Sequence, residues 1–154
     1  MTPSATRSTL PGRLILALLT LGCASGASAE RMVTAGEFVI HFNAVSSLDI
    51  PPEVARERQI TRSAQRALVN IAVRRLHGDG DVAVRARVEG MARNDVGQTQ
   101  TLWFREVTEG DAIYYLADPR VELEAPIRFE IDVQPADSAR TTPVRFSQTF
   151  FAPR

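Results

Sequence analysis

The chain has 154 residues and carries eighteen basic side chains, all arginine, against eighteen carboxylates, for a formal charge of zero. The signs are interleaved along the chain, which excludes the concentrated basic face that a nucleic-acid backbone requires. Its one cysteine, Cys23, lies near the start, so the folded part has neither a disulfide framework nor a cysteine-based metal site.

The first element is a leader. Arg7 and Arg13 precede an apolar run from Leu14 to Leu21, and Ala27-Ser28-Ala29 comes next. A positive start, a short apolar helix and small residues at the first and third places before the cut form the pattern of a secretory signal peptide. Removing these 29 of the 154 residues leaves 125, the size of one domain spanning 30–154 and starting at Glu30. The run is too short to stay as a membrane span, which takes roughly twenty apolar residues. Cys23 offers a competing reading as the lipid anchor of a lipoprotein, but of Thr20, Leu21 and Gly22 before it only the glycine fits such a site. Cleavage after Ala29 predicts a free periplasmic protein, whereas acylation of Cys23 predicts a membrane-anchored one.

Period-two alternation dominates residues 30–154, the mark of strands with one buried and one wet face. Strands are predicted over Glu37–Val45 and Ala67–Leu76. Val82, Val84, Ala86 and Val88 alternate with charged residues as a third. Thr99–Val107, Ala112–Leu116, Ile127–Val133 and Val144–Phe151 complete the set. Gly78-Asp79-Gly80 and Glu109-Gly110-Asp111 are short enough for hairpins, and Pro135–Thr142 forms a longer polar connection. One short helix is predicted over Pro51–Gln59, capped by Asp49, with Val54 and Arg58 on the face laid against the sheet. About seven strands and one short helix predict an all-β fold, an immunoglobulin-like antiparallel β-sandwich, with a small barrel as the alternative closure.

The ordered motifs His41-Phe42-Asn43-Ala44, Pro52-Glu53-Val54-Ala55-Arg56, Ile60-Thr61-Arg62-Ser63 and Asn70-Ile71 resemble a family of small secreted bacterial proteins. That family is known only as domain-of-unknown-function family 4426. The likeness covers essentially the whole chain after the leader, with Phe42 standing where the family pattern has tyrosine. It implies a periplasmic immunoglobulin-like sandwich and transfers no catalytic residue.

Several clusters invite a chemical role. His77-Gly78-Asp79-Gly80-Asp81 places alternate carboxylates in a glycine-rich loop, as a calcium site does. Such a site needs six or more oxygens, and a strand starts at once, so hairpin chemistry explains the loop better. His41 and Asn43 sit two apart on one strand face, where they either line a polar pocket beside the Ser46–Ser63 segment or hold the strand in register. Asn70, between Val69 and Ile71, must find partners or cost a few kcal/mol. Arg56, Arg58, Arg62 and Arg66 form a basic group that suits an acidic partner or a solvated helix face. Of the aromatics, Trp103-Phe104, Tyr114-Tyr115 and Phe150-Phe151 are adjacent pairs, so one member of each is expected to face outward, where it would offer a protein-binding spot.

No nucleophile elbow, zinc-protease helix or phosphate-binding loop occurs. The sequence therefore predicts a secreted periplasmic binding or interaction module without catalytic residues, cofactor or metal. Its partner is an unknown protein or small molecule, and His41, Asn43, Arg62 and Asn70 are the candidate binding residues. The alternative is a small-ligand or hydrolytic protein using the His41, Asn43 and Arg62 neighbourhood.

Overall fold

The computed structural model describes residues 31–152, so the predicted leader, with Cys23, lies outside the described residues. Two antiparallel sheets pack face to face. The larger contains β1 (Arg31–Ala35), β2 (Phe38–Ser46), β3 (Ala67–His77), β4 (Gly80–Ala83), β7 (Arg105–Glu109) and β8 (Ala112–Ala117). The smaller contains β5 (Ala86–Arg93), β6 (Thr99–Leu102), β9 (Pro126–Pro135) and β10 (Thr142–Thr149). The strand orders are β1-β2-β3-β8-β7, with β4 beside the far end of β3, and β10-β9-β5-β6. This is the all-β antiparallel sandwich that the alternation predicts, and the two sheets stay separate rather than closing into a barrel.

The core sits between the sheets because inward residues recur at every second position. Phe38, Ile40 and Phe42 from β2, Val69, Ile71 and Val73 from β3, and Tyr115 from β8 meet Phe129, Ile131, Val133 and Val144 of the opposing sheet. Phe146 bridges the layers, its ring centroid 5.0 Å from Phe42 and 4.8 Å from Phe129. Each fully buried aliphatic or aromatic side chain contributes roughly 1.5–3 kcal/mol.

Ten strands occur among the described residues where seven are predicted, and the reasons are physical. Val82 to Val88 is not one strand: the chain leaves the larger sheet after β4 and enters the smaller at β5. Val84 N–H donates to Val73 O at 2.9 Å on one side, and Ala136 N–H donates to Arg85 O at 2.8 Å on the other. Thr99 to Val107 likewise splits into β6 and β7 at Trp103-Phe104. Both sheets turn their inner faces to the same core, so alternation continues through a crossing and hides it. Strand β1 pairs with β2 through a turn at Gly36, whose φ of +64° favours glycine. The Asn94–Gln98 turn, which joins β5 to β6, also carries no prediction.

The Ser46–Ser63 segment folds as a clasp over the outer face of the larger sheet. Ser46 accepts from Leu48 N–H and caps a 3-10 turn, Ser47–Asp49. Helix α1 runs from Pro52 to Glu57, shorter than predicted, and has no side-chain cap, so Asp49 does not cap it. Its buried residue is Ala55, packed with Ile60, Leu68 and Leu116, whereas Val54 is exposed. The helix ends in a Schellman arrangement: Ile60 N–H donates to Ala55 O at 2.8 Å and Gln59 N–H to Arg56 O at 3.2 Å. Ser47 closes the clasp, its fully buried hydroxyl donating to Ser63 O and accepting from Ser63 N–H, both at 2.9 Å.

Candidate functional site

Strand register places three of the four candidate residues together. Asn43 lies directly opposite Asn70, and His41 lies opposite Ala72 on β3 and Met32 on β1, so His41, Asn43 and Asn70 share the outer face of the larger sheet. Arg62 is drawn elsewhere, its guanidinium donating to Leu48 O at 2.8 Å inside the clasp. None of the three depressions described below is lined by these four residues. Asn70 does carry one distinctive feature. Its Oδ1 is fully buried and has no hydrogen-bond partner. The basic group is divided as well: Arg58 pairs with Glu109 at 2.8 Å and Arg66 with Asp118 at 3.2 Å. Arg105 donates to the Arg58 carbonyl and ties β7 to the clasp.

The concave surface lies along β6 instead. Three adjoining depressions of about 510, 420 and 520 Å³ run along this strand from end to end. The first is lined by Arg93, Asn94, Gln98, Arg120 and Glu122 over a floor of Ala92, Val121 and Ile127. The middle one runs beside Gln100 and the Ala117–Arg120 stretch of the β8–β9 crossover. There the Gln100 amide donates to Arg120 O at 2.6 Å and accepts from Arg120 N–H at 3.2 Å, anchoring the crossover beneath the strand. The last is lined by Glu89, Met91, Trp103, Glu130, Asp132 and Arg145.

Register sorts the charges on the outer face of the smaller sheet into rows. Thr99, Arg93 and Arg128 form one row, Thr101, Met91, Glu130 and Arg145 the next, and Glu89 and Asp132 a third. Arg93 and Arg128 are like charges directly opposite each other, an arrangement that costs energy. Among the described residues neither is within ion-pair distance of a carboxylate, and Arg120 is likewise unpaired. At the far end Arg87 pairs with Glu89 at 2.7 Å and Arg145 with Asp132 at 2.8 Å, leaving Glu130 in excess. The furrow is positive at one end and negative at the other.

Among the described residues five strands have an unpaired side, and four of them are guarded in the usual way by charge or proline. Arg31 lies in β1, Asp81 in β4, three charged residues in β7, and Pro143 with Arg145 in β10. Strand β6, Thr99-Gln100-Thr101-Leu102, has neither. It runs straight into Trp103, which is 83% exposed, with Met91 41% exposed beside it. Trp103 is the outward member of the Trp103-Phe104 pair, the outcome expected of adjacent aromatics. The open strand edge is a feature sequence reasoning missed. Its one signal is an uncharged tetrapeptide ahead of a tryptophan.

Fold and surface together define a two-layer antiparallel β-sandwich with one unguarded strand edge. The chain belongs to the family described as Domain of unknown function (DUF4426), which matches residues 32–153. Among solved structures it is similar to a DUF4426 family protein from Pseudomonas aeruginosa PAO1, with 26% identity and a TM-score of 0.68 over 81% of this chain and 97% of that one. It is also similar in fold to FetP of uropathogenic Escherichia coli strain F11. A copper-bound variant of FetP has 12% identity and a TM-score of 0.57 over 82% of this chain and 92% of that one. FetP as isolated after expression in the periplasm has 11% identity and a TM-score of 0.58 over 81% and 95%. No curated protein matches the chain. Among the described residues no helix is long and apolar enough to cross a membrane.

Proposed function

We propose that this protein is a non-catalytic periplasmic interaction module that binds a protein partner by strand addition along the free edge of β6. The supporting observation is that β6 alone among the exposed strands carries no charge or proline and leads into an exposed tryptophan. Backbone pairing along such an edge supplies affinity, and side-chain pockets beside it supply specificity. An exposed tryptophan is among the residue types that most often anchor a protein contact. The furrow is lined by amides and threonines, with arginines gathered toward one end and carboxylates toward the other.

Export is tested by mass spectrometry of the protein recovered from the periplasm, where a free Glu30 N-terminus is expected and a lipid on Cys23 would replace this reading with a tethered one. The edge is tested with a photo-crosslinking amino acid placed at Thr101 in cells, against the same probe at Thr108 on the guarded edge β7. Protein adducts from position 101 alone are expected. Adducts from neither position, or equally from both, would remove β6 as the binding edge.

A second reading rests on the half-buried row of His41, Asn43 and Asn70 on one outer sheet face: that face holds a small polar ligand. A panel of amino acids and sugars screened by thermal shift tests it, with the shift lost in Asn70→Ala. A panel that moves neither protein ends this reading.

A further inference from the structure

We infer that the occupant of the β6 edge is a second copy of this chain, joined about a two-fold axis through Thr101. The inference rests on the strand-addition reading above and names its partner. In an antiparallel pair, directly opposed residues point to the same face, and outward positions alternate. Thr99, Thr101 and Trp103 share one parity, so the register that pairs all of 99–103 with itself puts Thr101 opposite Thr101 and Thr99 opposite Trp103 of the second copy.

The charge rows then decide the fit. The row Arg128-Arg93-Thr99 of one copy continues into Trp103, Glu89 and Asp132 of the other, because Arg93 faces Thr99, Leu102 faces Gly90 and Glu89 faces Asp132. The unpaired arginine end of each furrow meets the tryptophan and carboxylate end of its mate twice over. This is the self-complementarity that an isologous contact demands. Arg93 comes within reach of the exposed indole as a cation–π partner, and Glu89 beyond it, shared with Arg87 of its own copy, offsets the Arg93–Arg128 conflict. The central row is Glu130-Met91-Thr101 and then the same three residues reversed, with the small threonines at the axis leaving room for the backbones to pair. Two four-stranded sheets become one of eight strands, and the unguarded edges disappear.

Sedimentation of the purified exported protein over a range of concentrations tests the inference. Wild type is expected to pass from monomer to dimer, more weakly as salt is raised, since the complementary charges are screened. Thr101→Lys places two ammonium groups at the axis and is expected to leave a monomer with unchanged circular dichroism and Tm. Arg93→Glu and Glu89→Arg alter surface side chains, and each alone is expected to weaken the dimer at least tenfold. Their equimolar mixture is expected to regain it as a heterodimer, since each mutated end then meets its opposite. A wild type that stays monomeric at all concentrations, a dimer indifferent to Thr101→Lys, or a mixture that fails to recover would each overturn the inference. The crosslinking experiment separates the two ideas. Adducts from Thr101 to a different protein defeat the second copy and leave strand addition standing, whereas no adduct defeats both.

Discussion

Asn70 shows how a single residue can be placed by sequence and still surprise. The flanking Val69 and Ile71 are both fully buried in the core, so the alternation puts Asn70 on the opposite face, where register sets it against Asn43 and Leu116. The sequence leads one to expect an amide that ties down the irregular segment nearby. Instead Oδ1 is buried without a partner, and an unsatisfied buried acceptor costs about 1–3 kcal/mol. Replacing it with an apolar side chain removes that cost and extends the small cluster of Ala55, Ile60, Leu68 and Leu116. Asn70→Leu is therefore expected to raise stability by about 1 kcal/mol, seen as a rise in Tm of roughly 4 °C. The residue's face is readable from a period of two. Its missing partner is not, because hydrogen-bond satisfaction depends on what the neighbouring strands and the overlying clasp bring within reach.

At the scale of elements, the clasp and the strand crossings carry the lesson. Ser47, which no sequence motif marks, is the pin of the Ser46–Ser63 segment. Its hydroxyl satisfies both the N–H and the carbonyl of Ser63, sixteen residues away. Ser47→Ala leaves the Ser63 N–H unpaired and the Ser63 carbonyl with only the Arg66 N–H, at 3.1 Å, and is expected to cost about 1–3 kcal/mol in urea unfolding, with faster hydrogen exchange at the Ser63 amide. Gly90 plays a comparable part within β5. A Cβ there would lie 2.7 Å from Glu130 O and about 3 Å from Ile131, so Gly90→Ala forces backbone apart in the middle of the smaller sheet. The expected loss is about 1–3 kcal/mol, measured by thermal unfolding. Elements with one strong period, such as β3 and β9, stand out in the sequence. The breaks between β4 and β5 and between β6 and β7 do not, since a chain changing sheets keeps its inward residues turned to the same core.

At the scale of the whole molecule, the sandwich is fastened where the chain changes sheets. The Tyr115 hydroxyl, from the larger sheet, accepts from Ala86 N–H of the smaller at 2.7 Å and donates to Glu106 at 3.1 Å, with Arg85 holding Glu106 at 3.0 Å. Burial pushes the Tyr115 phenol above its ordinary value of about 10, with the nearby Glu106 adding to the effect and the Ala86 bond opposing it. The folded state thus holds this proton more tightly than the unfolded chain. Its contribution is complete below about pH 10 and is lost as pH climbs toward the raised folded value. Stability is expected to fall on that alkaline limb, and Tyr115→Phe to flatten it, as monitored by urea unfolding across pH with phenolate absorbance as the titration signal. On the opposite flank Arg31 reaches from β1 to the Ser147 carbonyl of β10 at 3.2 Å, over the Phe146 ring, and latches the two sheets together. The sequence by itself determined the all-β class, the inner faces of the strands, the two glycine hairpins and the charge balance, because each is set by local periodicity and turn chemistry. Only the tertiary structure decided which strands share a sheet, which edge is left open, and that unpaired arginines gather at one end of it and carboxylates at the other. Those properties belong to residues far apart in the chain, brought into register by pairing that no local pattern records.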